Sequence, residues 1–189
     1  GAPALCEGSA MLVTDGIPGG VWSNTRPAIS TITTGGIVSG ILPGLDTIVY
    51  TIAGCAPVFH PITVNPLPAL ITGPTSICIG LAIALSDASP GGMWSSSDTT
   101  VATISPTGVV IPTTGVIGST ATIIYTMPTS CFVTAPVTVN APPAPIVGAD
   151  SICQGAVTTM TNITPGGIWS STDLSRAAIV DSSGVLTGV

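Results

Sequence analysis

The chain has 189 residues, of which 5% are charged: eight acids, two arginines and no lysine, for a formal net charge of −6. Phosphate polymers and anionic membrane surfaces are held by rows of Lys and Arg, so neither nucleic acid nor a charged bilayer is expected as a partner. Apolar residues make up 45% of the chain but are interleaved with 23 Gly and 18 Pro, and no run approaches the roughly 20 apolar residues of a membrane helix.

The first unit opens with Gly1-Ala2-Pro3-Ala4-Leu5-Cys6-Glu7-Gly8. This entrance recurs as Gly73-Pro74-Thr75-Ser76-Ile77-Cys78-Ile79-Gly80 and again as Gly148-Ala149-Asp150-Ser151-Ile152-Cys153-Gln154-Gly155. Repetition at a fixed period indicates an array. After each entrance a short strand is expected, as in Leu81-Ala82-Ile83-Ala84-Leu85, where Leu81, Ile83 and Leu85 fall on one face. Then comes a phrase present three times: Pro18-Gly19-Gly20-Val21-Trp22-Ser23, Pro90-Gly91-Gly92-Met93-Trp94-Ser95 and Pro165-Gly166-Gly167-Ile168-Trp169-Ser170. A Gly turn followed at once by a large apolar residue predicts a strand whose Trp anchors a small core. Trp22, Trp94 and Trp169 are all the tryptophans of the chain, spaced 72 and 75 residues apart, and they count its units.

Beyond each Trp the register holds. Ile32, Ile104 and Ile179 lie 10 residues on, and Gly36, Gly108 and Gly184 lie 14, 14 and 15 residues on, a spacing that fits strand, glycine turn and strand. Asp46-Thr47-Ile48-Val49-Tyr50-Thr51 and Ala121-Thr122-Ile123-Ile124-Tyr125-Thr126 alternate as half-buried strands do. The closing strands around Pro61 and Pro136 carry a central proline, which predicts an edge position. No segment has a helical period. The fold class read from these elements is all-β, a tandem array of immunoglobulin-like β-sandwiches with units at 1–68, 69–145 and 146–189, joined by short proline-rich linkers that favour extended, semi-rigid geometry. The third unit stops at Val189 without a Tyr strand, so either the chain is expected to continue or another chain to supply the rest.

Units of roughly 70 residues sit where one core contributes only about 3–5 kcal/mol, and covalent staples are expected. Cys6 with Cys55 and Cys78 with Cys131 repeat one relation, with separations of 49 and 53, and predict one disulfide inside each complete unit. Each would restrict the unfolded chain by about 4 kcal/mol on the loop-entropy account. Cys153 is left over, its partner expected in the part of the third unit outside this segment, with an intermolecular bridge or a reactive thiol as the alternatives. Such pairing implies an oxidising, extracytoplasmic setting.

No set of residues reads as catalytic, cofactor-binding or metal-binding. His60 is the only imidazole, aligns with the inward-facing Ala135 of the second unit, and has no recurring partners. Glu7 has no second carboxylate at a matching spacing. Asp98 and Asp173 follow their Trp by four residues where Arg26 stands in the first unit, which favours turn-capping acids over a shared calcium site. With two Tyr and two Phe beside them, the Trps read as core anchors and not as a sugar-stacking platform.

The Pro-Gly-Gly-x-Trp phrase, the Val101-Ala102-Thr103-Ile104-Ser105-x-x-Gly108 run and the Tyr125 strand resemble bacterial immunoglobulin-like repeats of group 2, the invasin and intimin kind. The Cys-x-Gly entrances and the Val137-Thr138-Val139-Asn140 exit resemble more closely the tandem repeats of large secreted surface proteins of gliding Bacteroidota. The resemblance implies a cell-surface stalk or adhesive module, and O-glycosylation at Asp-Ser/Thr motifs, here Thr47, Thr99 and Ser151. The function expected is that of a structural, non-enzymatic, extracellular repeat protein, self-associating as a filament or standing as a rigid stalk, with strand complementation between chains as one route. The alternative is an adhesin-type module recognising glycan or host protein.

Overall fold

A computed structural model describes residues 3–113 and 117–189; Gly1 and Ala2 of the first entrance lie outside the described residues. Among the described residues seventeen strands run in chain order: β1 Ala4–Cys6, β2 Ala10–Leu12, β3 Val21–Asn24, β4 Ser30–Ile32, β5 Ile37–Gly40, β6 Gly44–Thr51, β7 Val58–Asn65, β8 Ser76–Cys78, β9 Ile83–Ala84, β10 Met93–Ser96, β11 Ala102–Ile104, β12 Val109–Pro112, β13 Thr120–Thr126, β14 Phe132–Asn140, β15 Val157–Thr159, β16 Ala177–Ile179 and β17 Val185–Gly188. Among the described residues none is helical, and no helix is long and apolar enough to cross a membrane. The chain forms two compact units, Gly1–Asn140 and Ala141–Val189.

The first unit holds two copies of one immunoglobulin-like β-sandwich. In each, a four-stranded sheet, β1-β7-β6-β3 or β8-β14-β13-β10, lies over a three-stranded one, β2-β5-β4 or β9-β12-β11. The first core joins Leu5, Ile48, Ile62 and Val64 of the larger sheet to Val38 of the smaller. The second joins Ile77, Ala121, Ile123, Val137 and Val139 to Ala102 and Val110 in the same way. Period-2 patterning does this: along β13, Ala121, Ile123 and Tyr125 are buried while the residues between them are half-exposed. The entrance strands β1 and β8 run parallel to the closing strands β7 and β14, with Cys6 opposite Asn65 and Cys78 opposite Asn140.

Two details depart from the pattern read in sequence. Strand β9 is confined to Ile83–Ala84, with Leu81 exposed in the preceding turn, so the expected Leu81/Ile83/Leu85 face is shorter by its first residue. Strands β7 and β14 are interior to their sheets overall, yet β1 and β8 reach only Thr63–Asn65 and Thr138–Asn140. Pro61 and Pro136 thus sit in the half that has a neighbour on one side alone, where a missing N–H costs no ladder bond.

The second compact unit begins at Ala141, within the proline run, and contains a single three-stranded sheet, β15-β17-β16, equivalent to the smaller sheet of each sandwich. Its chain entry copies that of the second repeat. An isolated bridge Val147–Thr161 matches Thr72–Ser86, and the linker amide of Ala144 donates to Thr164 Oγ1 (2.8 Å) as that of Ala69 donates to Ser89 Oγ (2.7 Å). The Trp169 segment, however, belongs to no strand.

Candidate functional site

The repeated phrase builds a small aromatic device. Tyr50 lies against Trp22 with ring centroids 4.4 Å apart, and Tyr125 against Trp94 at 4.7 Å, both tilted, in the range where aromatic pairs attract. Each strand pair sets this up by register, Trp22 opposite Tyr50 and Trp94 opposite Tyr125. The Tyr50 hydroxyl donates to Ile17 O (2.7 Å) and accepts from Gly20 N (2.9 Å). Tyr125 does the same with Ser89 O (2.6 Å) and Gly92 N (3.0 Å). The two glycines of the phrase have separate duties. Gly19 and Gly91 take left-handed φ of 94° and 86° to make the turn. A Cβ on Gly20 or Gly92 would stand 2.4–2.5 Å from the tyrosine ring, so only glycine lets the ring close over the turn. Trp22 and Trp94 are half-buried and pack on their cores.

In the unit Ala141–Val189 there is no tyrosine, and the same ground is an open cavity of about 740 Å³ lined by Ile146, Asn162, Thr164, Pro165, Gly167 and Trp169. Trp169 stays half-buried against Gly184, as Trp22 lies by Gly36 and Trp94 by Gly108, but its amide bonds to Asp181 O instead of a facing strand.

The cysteines are not where sequence spacing puts them. Cys6 is bonded to Cys131, with Cα atoms 5.6 Å apart and a sequence separation of 125, whereas Cys55, Cys78 and Cys153 carry free thiols. The expected Cys6–Cys55 and Cys78–Cys131 bonds are ruled out by the sheet itself. Cys6 is paired beside Asn65 at the far end of β7, while Cys55 precedes that eight-residue strand, so roughly 25 Å separates them against the 4.4–6.8 Å that a disulfide spans. Cys78 beside Asn140 and Cys131 before Phe132 stand at opposite ends of β14 in the same way. The staple therefore crosses from the exit end of the first repeat to the entry end of the second.

Polar groups serve the frame. Asp46 is buried in β6 and accepts hydrogen bonds from Asn24 Nδ2, Ser30 Oγ, Thr25 Oγ1, and the amides of Arg26 and Thr47, at 2.6–2.9 Å. Burial alone would raise its pKa; those donors outweigh it and hold the carboxyl below the usual 3.8. Ala121 takes this place in the second repeat. There Asp98 caps the turn instead, accepting from Thr100 N (2.9 Å) and Oγ1 (2.6 Å), and Asp173 caps its own turn through Ser175 N (3.0 Å) and Oγ (2.6 Å) with an exposed ion pair to Arg176. His60 is opposite Ile48 on the inward side of β7, but the sheets part there and it is exposed at a cleft of about 390 Å³ shared with Met11, Asp15, Trp22, Tyr50 and Val58. Among the described residues no His, Cys, Asp or Glu cluster could hold a metal. Thr99 and Ser151 lie on exposed loops, and Thr47 is half-buried in the middle of β6. The Cys6–Cys131 joint was the feature that sequence reasoning missed; its one signal was that each first cysteine follows the entrance, whereas each second precedes the closing strand.

No family model matches the chain, nor does any curated protein. Among solved structures, domains 4 and 5 of the S-layer protein SbsC are similar at 21% identity and a TM-score of 0.27, covering 65% of this chain and 70% of that one. A C-terminal 282-residue fragment of intimin, solved with the intimin-binding domain of its translocated receptor, is similar at 15% identity and a TM-score of 0.40, over 74% of this chain and 58% of that one. A SusE-like, surface-located polysaccharide-binding protein from the Bacteroides thetaiotaomicron heparin utilisation locus is similar at 11% identity and 0.42, over 74% and 33%. The chain thus spans less than two thirds of the last two, and its architecture is assigned from its own strand pairing.

Proposed function

We propose that this chain is a structural, non-enzymatic part of an extracellular or cell-surface repeat protein, in which immunoglobulin-like sandwiches are locked end to end as a stalk or filament. The observation that carries this reading is the Cys6–Cys131 bond, because it joins one repeat to the next and leaves each core without an internal bridge. A binding module needs only a stable domain; a load-bearing array needs its joints fixed. On the loop-entropy account a closed loop of this size restricts the unfolded chain by about 5 kcal/mol, and the bond also limits hinge motion. A disulfide of this kind belongs to an oxidising compartment, and surface repeats of gliding Bacteroidota are the setting the sequence resembles. Exposed Thr99 and Ser151 are accessible to the O-glycosylation that this setting would bring.

Small-angle scattering of the chain in oxidising and reducing buffer tests the reading. A distance distribution that is sharp when oxidised and broadens when the bond is cut is expected; equal flexibility in both would overturn it. Negative-stain imaging separates filament from stalk. The adhesin alternative draws on the cleft between Trp22, Tyr50 and His60. Its aromatic faces are spent on each other, and glycan-array binding lost on His60→Ala with the fold intact would be needed to raise it.

A further inference from the structure

Among the described residues one buried side-chain oxygen has no hydrogen-bond partner, Oδ2 of Asp87. Asp87 stands at the clasp that fastens the linker to the second sandwich. Its other oxygen, Oδ1, accepts from Ser89 N (2.7 Å), Ser89 Oγ accepts from the linker amide Ala69 N (2.7 Å), and Thr72 and Ser86 exchange backbone bonds (2.8 and 2.9 Å). The unit Ala141–Val189 builds the same clasp from the equivalent residues. Thr164 N donates to Asn162 Oδ1 (2.7 Å), Ala144 N to Thr164 Oγ1 (2.8 Å), and Val147 and Thr161 exchange backbone bonds (2.8 and 2.7 Å). One bond differs: Asn162 Nδ2 donates to the linker carbonyl Ala144 O and closes the clasp on its second side. Asp87 has an oxygen where Asn162 has that nitrogen. By the same geometry, a carboxyl oxygen in the second repeat is directed at the carbonyl of Ala69, acceptor against acceptor.

Two such acceptors repel, and buried polar groups in folded proteins are almost always paired. A carboxylic acid, unlike a carboxylate, carries one O–H donor. The segments that meet at the clasp, linker residues 66–72 and turn residues 88–92, contain no charged side chain and no histidine to pair with an ionised Asp87. The titratable group bonded to the turn is Tyr125, whose hydroxyl donates to Ser89 O and accepts from Gly92 N. We propose that Asp87 is a proton-operated clasp on the linker: in its acid form the hydroxyl donates to Ala69 O, as Asn162 Nδ2 donates to Ala144 O, and loss of the proton opens that side. The proton comes from solvent and returns to it, and only the O–H bond forms or breaks. Because the closed clasp is the form that holds the proton, acid tightens the linker and alkali slackens it. Asn162 has no such proton to lose, so the clasp of the last unit stays closed at every pH.

The test is amide exchange of the intact chain, wild type against Asp87→Asn, from about pH 8 to about pH 5, a range in which an ordinary aspartate stays ionised. Taking the ratio of the two proteins at each pH cancels the intrinsic chemistry of exchange and the titration of His60. At the alkaline end the Ala69 and Thr72 amides should exchange roughly tenfold more slowly in Asp87→Asn, the effect of one added buried hydrogen bond. The ratio should fall toward one at the acid end as the wild type closes. Asp87→Ala has no donor in either state and should exchange fast throughout. NMR of the side-chain carboxyl carbons gives a readout on the wild type alone: one aspartate should pass from acid to carboxylate inside this range, while the others do so below it. A ratio that does not change with pH, carboxyls that are all ionised at the acid end, equal protection in Asp87→Ala and Asp87→Asn, or wild-type protection that follows added calcium or sodium in place of pH would each overturn the proposal.

Discussion

The second repeat and the unit Ala141–Val189 begin alike and end differently. Both have the entrance cysteine, the linker amide on a hydroxyl before the Pro-Gly-Gly turn, the isolated bridge, the three-stranded sheet and a Trp resting by a glycine. Only in the second repeat does the Trp segment form a strand, because β13 is there to pair with it and Tyr125 to cover it. The lesson is that Trp94 does not make its own strand. A residue half-buried on one side becomes an anchor when a facing strand closes the other, and the same local sequence around Trp169 lies outside any ladder without that partner.

The comparison is sharpened most by supplying the partner. Appending the sequence of residues 114–140 after Val189, which stands where Thr113 does in the second repeat, should convert the Trp169 segment into a strand, with a blue shift of indole emission and slowed amide exchange across residues 168–171. The same addition carrying Ala at the position of Tyr125 should fall short of both. Breaking the complete repeat is the converse. Tyr125→Ala removes a buried ring and two hydrogen bonds and should cost about 4 kcal/mol in denaturant unfolding, leaving Trp94 as exposed as Trp169. Gly92→Val forces the same ring off the turn by overpacking and should cost about 3 kcal/mol, while the equivalent Gly167→Val, with nothing within 4 Å, should be felt far less.

Smaller effects distinguish the two complete repeats. Asp46→Ala strands the donors that converge on the carboxylate and should cost about 2 kcal/mol, localised by amide exchange to the first repeat. Because the folded pKa of Asp46 is depressed, its contribution is fully present above the unfolded value and is lost as pH falls through the folded one. Acid below about pH 4 should therefore loosen residues 24–30 and 46–47. The second repeat has Ala121 there, and its own depressed carboxyl, Asp98, held by Thr100, is on the surface, so its acid response should be weaker.

Much of the frame was legible in the chain itself. Alternation along Ala121–Thr126 and Asp46–Thr51 located the central strands and the residues they bury, since a period of two is a local property of side-chain direction. The Pro-Gly-Gly-x-Trp phrase marked each repeat, and the prolines at 61 and 136 marked strand segments open on one side. What sequence order could not convey was which strand ends share a pole. Cys6 and Cys55 look like a pair because they fall in one repeat, yet parallel pairing of β1 with β7 sends them to opposite ends of a strand, and Cys6 finds its partner 125 residues away. The role of the second glycine of the phrase was equally hidden, for it depends on a tyrosine ring arriving 30 residues later in the first repeat and 33 later in the second. Local patterning thus determined the strands, the core and the count of repeats. Only the tertiary structure decided the joint, because a disulfide answers to distance between poles, which is set by sheet topology and not by spacing along the chain.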